Sequence, residues 1–210
     1  FFLQKKTKQN PQILTSLCIL TYICGYLGAR LVSAIIDEKH TNPFTILSDL
    51  ITLGPMTSYG GFLGGFLGGL IYLKIKKEPL RPWLDISVTA SLLGIAIGRV
   101  GCFLNGDDYG IPVTTSGFEA FWAVTFPNHQ DNIPRFPVQL MESFLTLGLL
   151  GGLTLLFLRK KKDVGLLGVI GYGFIRFSTE FFRGDNRGWF IKNYLSPAQA
   201  VSIFFVLVFC

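Results

Sequence analysis

Long apolar runs separated by short basic clusters constrain this 210-residue chain more than any other feature. A helix that spans a membrane needs about 20 consecutive, mainly apolar residues. Only 15% of the residues are charged, against about 25% in soluble domains. The sequence therefore predicts an all-α integral membrane protein, a polytopic helical bundle of about six spans. These spans are expected at residues 13–36, 56–73, 83–104, 137–158, 164–182 and 197–210.

The same composition excludes several other classes of protein. Disorder requires low hydrophobicity and high net charge, whereas half of this chain is hydrophobic. Four cysteines are too few for a small secreted scaffold held by disulfides. The net charge of +6 comes mainly from short clusters between the apolar runs, so no nucleic-acid partner is expected.

The chain is expected to be one transmembrane domain, incomplete at both termini. It opens on Phe1 rather than Met and stops at Cys210 inside an apolar run. A shorter apolar stretch at residues 44–53 is expected to lie at the membrane interface or to re-enter, because it is too short to span.

Lysines and arginines in the connections predict the orientation of the spans. Eleven of them lie in the N-terminal segment and in the loops near residues 78 and 161, and five lie in the opposite connections. The positive-inside rule places the first set in the cytoplasm. The connection 105–136 is then expected outside, as a small extracytoplasmic head segment.

Three arginines, Arg30, Arg99 and Arg176, lie inside predicted spans, each in the outward half of its helix. An arginine in hydrocarbon costs about 2.5–3.5 kcal/mol on insertion scales, so each is expected to face the bundle interior or a wet cavity. Glu180 follows Arg176 by four residues and therefore shares its helical face.

Further polar side chains are predicted at the same membrane level. Gln139 and Glu142 begin the fourth span from outside, and Tyr59 begins the second. Interhelical ion pairs that hold a bundle together would explain such a layer. However, the three arginines outnumber the two intramembrane carboxylates, and an excess of guanidinium forks suits a phosphate. The layer therefore favours a phospholipid headgroup near the outer leaflet.

The second span is rich in glycine, at positions 60, 61, 64, 65, 68 and 69. Small residues four apart let membrane helices approach closely, which explains most of them. Gly60 and Gly61 directly follow Tyr59 at the outer end, where bare backbone would let a headgroup come close.

The most informative run is G-R-V-G-C-F-L-N-G-D-D-Y-G at residues 98–110. Asn105, Gly106 and Asp107 are ordinary turn residues, but a turn does not explain Arg99 inside the bilayer before it. The run resembles the hallmark motif of the prolipoprotein diacylglyceryl transferases, enzymes of the bacterial cytoplasmic membrane, which is close to G-R-[IV]-G-N-F-[IL]-N-G-E-x-[YW]-G.

Five other segments resemble motifs of this family in the same order, from about residue 17 to the end. They are G-A-R-L at 28–31, Y-G-G-F-L-G at 59–64, P-V-Q-L-M-E at 137–142, R-F-S-T-E-F-F-R at 176–183 and S-P-A-Q at 196–199. Each is weak alone, and their order makes the resemblance specific. It implies a seventh span in the full-length protein.

The resemblance implies a reaction. Family members transfer the diacylglyceryl group from phosphatidylglycerol to the lipobox cysteine of a preprolipoprotein signal peptide, forming a thioether and releasing glycerol 1-phosphate. Arg99, Arg176 and Tyr59 are the implied catalytic residues, with Arg99 and Arg176 also binding the substrate phosphate. No cofactor or metal is expected. The remaining substrate-binding residues are expected to be Arg30, Gly60, Gly61, Asn105, Asp107, Gly110, Gln139, Glu142, Glu180 and Arg183.

Three positions depart from the family pattern. Tyr59 and Phe136 stand where the family usually has His, and Cys102 stands where it has Asn. His40 and His129 are expected on the surface of outward loops. The attacking thiol must lose its proton, and the base stays open between Tyr59 and bound solvent. Cys102 is expected to be a packing residue.

Alternatives from other classes remain. A transporter or channel for an anionic solute would use the same arginines, although the chain lacks the paired repeats of many transporters. A family member without activity would bind phospholipid only. The aromatic residues of the head segment form either a membrane-interface belt or a surface for the signal helix. These are Phe118, Phe121, Trp122 and Phe126.

Overall fold

Five α-helices form the part of the chain that the structure, a computed structural model, describes. Those residues are 10–36, 57–113, 121–128, 131–159 and 163–184, with 196, 199, 202 and 203; for residues 58 and 59 only the backbone is described. No β-strand occurs among them, which confirms the predicted all-helical class. The helices are α1 (Pro11–Ile36), α2 (Ser58–Ile75), α3 (Leu80–Asn105), α4 (Val138–Leu158) and α5 (Val164–Glu180).

These helices match five of the six predicted spans, with ends that differ by at most three residues. By length and composition, α1, α3 and α4 can each cross a membrane. α2 and α5 are shorter, at 18 and 17 residues, so their crossing stays a prediction. The sixth predicted span and the stretch 44–53 lie outside the described residues, apart from isolated positions in the former.

The chain divides into two compact units, Phe1–Trp83 and Leu84–Cys210. The first unit contains α1, α2 and the first turn of α3. The second contains the rest of α3, with α4, α5 and the connection between α3 and α4.

In the first unit, α1 and α2 meet backbone to backbone. A Cβ atom on Gly28 would lie 3.0 Å from the Cα of Gly64, and one on Gly64 would lie 3.1 Å from the Cα of Gly28. A Cβ on Gly60 would lie 2.7 Å from the Cβ of Val32. The prediction that glycines of the second span permit close helix packing is therefore confirmed at Gly64, and Gly60, predicted as a headgroup contact, also packs against α1.

Polar residues explain where two of the helices begin. Asn10 caps α1 because its Oδ1 accepts a hydrogen bond from the Gln12 amide at 2.9 Å, and Pro11 fills the first helical position, where no amide donor is needed. α5 begins after Asp163, and the Asp85 carboxylate of α3 accepts from the Gly165 amide at 2.6 Å. This bond joins the start of α5 to the early part of α3.

The connection between α3 and α4 folds back on itself. Val124 and Arg135 exchange backbone hydrogen bonds of 2.9 and 3.0 Å. The connection also pairs with the residues that follow α5, because the Ile111 amide donates to the Phe182 carbonyl at 2.9 Å and the Gly184 amide to the Tyr109 carbonyl at 3.0 Å. These contacts bring the motif after α3 beside the end of α5.

Candidate functional site

Among the described residues of the second unit, six charged side chains form one cluster. Their exposed fractions range from 0 to 14%. They are Arg99 from α3, Asp108 from the following turn, Glu142 from α4, Arg176 and Glu180 from α5, and Arg183 just after α5.

Glu142 lies at the centre of this cluster and is fully buried. Its Oε2 is 3.0 Å from the Nε of Arg99 and 3.9 Å from the Nη1 of Arg176. The hydroxyl of Tyr172 donates to its Oε1 at 3.0 Å. A buried carboxylate is tolerated only with such partners, so Glu142 requires side chains from α3 and α5.

Asp108 bridges two arginines. Its Oδ2 is 2.5 Å from the Nη1 of Arg99, and its Oδ1 is 2.8 Å from the Nη2 of Arg183. Its backbone φ of 59° is left-handed, a conformation that Asp adopts more readily than most residues. The turn after α3 therefore places the Asp108 carboxylate against Arg99, which lies on α3 itself.

Glu180 completes the cluster. Its Oε2 is 2.8 Å from the Nη1 of Arg176 and 3.9 Å from the Nε of Arg183. The cluster thus contains three arginines and three carboxylates. Among the described residues the predicted excess of arginine is not seen here, because Asp108 is a carboxylate beyond the two predicted ones, and Arg30 lies in the first unit.

Amide side chains fix the motif turn beside the cluster. Asn105 donates through its side-chain amide to the carboxylate of Asp107, and Asn128 donates to the Asn105 carbonyl at 2.7 Å. Gln139, which is 1% exposed, donates to the Asp107 carbonyl at 2.6 Å. The Oε1 of Gln139 has no hydrogen-bond partner among the described residues.

Gly110 passes close to the start of α4. A Cβ there would lie 2.8 Å from the Cγ2 of Val138 and 3.0 Å from the carbonyl carbon of Phe136, so only glycine fits. The ring of Phe136 stacks on Phe182 with centroids 5.7 Å apart. At the position where the family usually has His, this chain therefore has an aromatic packing residue.

Several predicted site residues belong to the first unit. Arg30 is 1% exposed there, and Gly60 and Gly61 lie in the first turns of α2. Their contribution to a site with the second unit stays a prediction. The side chain of Tyr59 lies outside what the structure describes, as do His40, His129 and Phe118.

The aromatic residues of the head segment lie in two different environments. Phe126 is 4% exposed and packs edge to face on Phe103, with centroids 5.6 Å apart, so it is a core residue. Phe121 and Trp122 are 79% and 51% exposed. For these two, the membrane belt and the peptide surface both stay predictions. Cys102 is half-buried and its thiol is free.

Sequence reasoning missed Asp108 and Tyr172. Tyr172 precedes Arg176 by four residues, so the shared face of α5 was an available signal. Asp108 occupies the variable position of the motif, where the family pattern specifies no residue type. In the described ranges, no three His, Cys, Asp or Glu side chains group so that they could share a metal ion.

The chain is similar to known proteins over nearly its whole length. The family model described as prolipoprotein diacylglyceryl transferase matches residues 1–210. A phosphatidylglycerol–prolipoprotein diacylglyceryl transferase of Clostridium tetani is 34% identical over 209 residues, which cover 97% of this chain and 81% of that protein.

Two further relatives carry the same name. The protein of Cupriavidus pinatubonensis is 33% identical over 176 residues, covering 80% of this chain and 60% of that protein. The protein of Aromatoleum aromaticum is 32% identical over 204 residues, covering 90% of this chain and 73% of that protein. The chain thus spans from 60% to 81% of the length of these three relatives.

Proposed function

The chain belongs to the prolipoprotein diacylglyceryl transferase family, and we propose that it transfers the diacylglyceryl group of phosphatidylglycerol to the lipobox cysteine of a prolipoprotein. It is accordingly a transferase of lipoprotein biosynthesis. We place the headgroup phosphate at the charged cluster of the second unit. The observation that carries this placement is that Arg99, Arg176 and Arg183 converge around shared carboxylates in a buried setting.

The reaction calls for such a cluster of arginines. The cysteine sulfur attacks the glycerol carbon that bears the phosphate, a carbon–sulfur bond forms, and the carbon–oxygen bond breaks. The electron pair of the broken bond stays on the phosphate oxygen, which leaves as glycerol 1-phosphate. Charge therefore develops on the phosphate, and cations already in place stabilise it without reorganising. Guanidinium groups bind phosphate oxygens in pairs.

The carboxylates hold these arginines in place before substrate binds. Glu142 contacts Arg99 and Arg176 from a fully buried position, and Tyr172 orients Glu142 through its other oxygen. Glu180 reaches Arg176 at 2.8 Å. In this proposal Glu142 and Glu180 are positioning residues for the phosphate-binding arginines.

The motif turn supplies a contact for the glycerol headgroup. The unpartnered Oε1 of Gln139 is a hydrogen-bond acceptor in a buried position, which suits a hydroxyl of the glycerol. Asp107 and Asn105 fix the loop to which Gln139 is bonded. A headgroup without a hydroxyl would leave this acceptor unsatisfied.

Other parts of the proposal depend on the motif matches alone. Tyr59 is the proposed catalytic residue of the first unit, and Arg30, Gly60 and Gly61 are proposed headgroup contacts. The base that takes the thiol proton is Tyr59 or bound solvent.

We propose a multi-pass location in the bacterial cytoplasmic membrane with the site towards the outer leaflet. Three helices long and apolar enough to span support the membrane location. The excess of lysine and arginine in the connections near residues 78 and 161 supports the orientation. The acceptor would be the signal peptide of a preprolipoprotein. A groove beside the motif turn has apolar walls, including Phe103, Leu104 and Val124, that suit the residues flanking its lipobox cysteine.

The test is release of glycerol 1-phosphate from phosphatidylglycerol and a lipobox peptide by the purified protein. Arg99→Ala and Arg176→Ala are each expected to lower turnover by about 100-fold or more, since each removes a donor to the developing charge. Arg159→Ala, at the far end of α4, is the matched control and should keep its activity.

Release that survives both cluster substitutions would overturn the site. Binding of phosphatidylglycerol without release would instead identify a lipid-binding member of the family. Flux of an anionic solute through proteoliposomes, without headgroup turnover, would identify a transporter.

A further inference from the structure

The carboxylate of Asp108 contacts Arg99 and Arg183 in the geometry expected of a bound phosphate. Each of its two oxygens contacts a different guanidinium, Arg99 at 2.5 Å and Arg183 at 2.8 Å. Two oxygens of one phosphate bind a pair of arginines in the same way. We propose that Asp108 is an internal anion that competes with the phosphate for Arg99 and Arg183. This inference rests on the proposed function of the cluster.

Charge supports an exchange of one anion for another. With Asp108 in place, the cluster has three arginines and three carboxylates. Without it, the described side chains of the cluster have one more positive than negative charge, which matches the single negative charge of a phosphodiester such as phosphatidylglycerol. Substrate that takes the place of Asp108 therefore keeps the charges of the described cluster residues balanced, which lowers the cost of burying them.

Position also distinguishes Asp108 from the other two carboxylates. Glu142 and Glu180 lie within helices, and their side chains are 0 and 10% exposed. Asp108 lies in a turn with a left-handed backbone and is 14% exposed. Of the three, Asp108 is thus the carboxylate that can leave the arginines without moving a helix.

The product differs from the substrate in charge. Glycerol 1-phosphate is a monoester and carries about −1.5 to −2 charges at neutral pH, so it would bind the arginines more strongly than the diester does. Competition for Arg99 and Arg183 weakens the binding of both ligands by the same factor, but the displaced Asp108 carboxylate stays nearby and repels the more highly charged product more strongly. Asp108 is therefore expected to weaken product binding more than substrate binding, which favours product release.

The experiment measures product inhibition in the Asp108→Asn protein. The inhibition constant of added glycerol 1-phosphate should fall about tenfold, because a charged competitor for two arginines is lost. The KM for phosphatidylglycerol should fall by a smaller factor. Asp108→Glu keeps the charge and should keep the inhibition constant near that of the unsubstituted protein.

Asp131→Asn is the matched control, because Asp131 pairs with Arg135 outside the cluster. It should leave the inhibition constant unchanged. The dissociation constant of glycerol 1-phosphate, measured by calorimetry on the folded protein in detergent, gives a second readout that needs no turnover. It should also fall in Asp108→Asn.

The outcomes separate the two proposals. An inhibition constant and dissociation constant that stay the same or rise in Asp108→Asn would show that Asp108 positions the arginines rather than competing for them, and would overturn this inference alone. An unsubstituted protein that neither binds glycerol 1-phosphate nor releases it would overturn the proposed function.

Discussion

The two units join their helices by opposite means. In the first unit α1 and α2 meet at glycines, where the contact depends on the absence of side chains. In the second unit α3, α4 and α5 meet at Glu142, where the contact depends on long charged side chains that reach one another. The first contact should fail when atoms are added, and the second when atoms or charges are removed. The proposed chemistry uses the second kind of contact.

The largest effect is expected from Glu142→Gln. The substitution leaves Arg99 and Arg176 buried with one carboxylate fewer, and breaking a buried ion pair costs about 3–5 kcal/mol. The free energy of unfolding in mixed detergent micelles measures this loss. The control is Asp131→Asn. The ion pair of Asp131 with Arg135 is partly exposed and contributes less to stability, so this substitution should cost under about 1 kcal/mol. Equal losses for both substitutions would contradict a special role for the buried cluster.

A smaller effect is expected from Gly64→Ala in the first unit. Its new methyl group would collide with the α1 backbone near Cys24 and Gly28, and overpacking costs about 1–3 kcal/mol. The control is Gly151→Ala in α4, where a Cβ would meet nothing within 4 Å. It should be neutral or stabilise by about 0.5–1 kcal/mol, because alanine is the better helix former. A loss of stability at Gly151 as large as at Gly64 would remove the contrast between the units.

The smallest effect is expected from Tyr172→Phe. It removes the hydroxyl that donates to Glu142, and such interhelical hydrogen bonds contribute about 1 kcal/mol in membrane proteins. The same unfolding assay applies, with Tyr22→Phe as the control, since Tyr22 is 75% exposed. Turnover should fall as well if Glu142 positions Arg99 and Arg176. Unchanged turnover with lowered stability would limit Tyr172 to a structural role.

Much of the fold could be predicted because a membrane-spanning helix depends only on the residues of its own segment. A run of apolar residues of the right length identifies a membrane helix without knowledge of its neighbours, and five predicted segments became helices with nearly the predicted ends. The pairing of helices is not local in this way. Asp85 is bonded to Gly165, 80 positions along the chain, and no pattern near either residue indicates the other.

The candidate site was partly predictable for the same reason. Arg99, Arg176 and Glu142 stood out because charged residues are rare in apolar runs, and the structure brings them together. Asp108 did not stand out, because carboxylates are common in turns. The placement of its side chain against the arginines also depends on a left-handed backbone conformation, which the sequence does not indicate. Tyr172 did not either: its spacing of four residues from Arg176 places both on one face of α5, but this spacing does not indicate that the Tyr172 hydroxyl meets the buried carboxylate of Glu142.

The bond between Asp85 and the Gly165 amide has a consequence for the distant arginines. Arg99 lies 14 residues beyond Asp85 on α3, and Arg176 lies 11 residues beyond Gly165 on α5. At 1.5 Å per residue, these arginines are about 21 Å and about 16 Å along their helices from the bond. Glu142 contacts both arginines. α3 and α5 are therefore linked at two distant points, directly by the bond between Asp85 and Gly165 and through Glu142 at the arginines. Axial sliding of one helix against the other is thereby opposed, and a carboxylate far outside the cluster helps to set the height at which the two guanidinium groups meet.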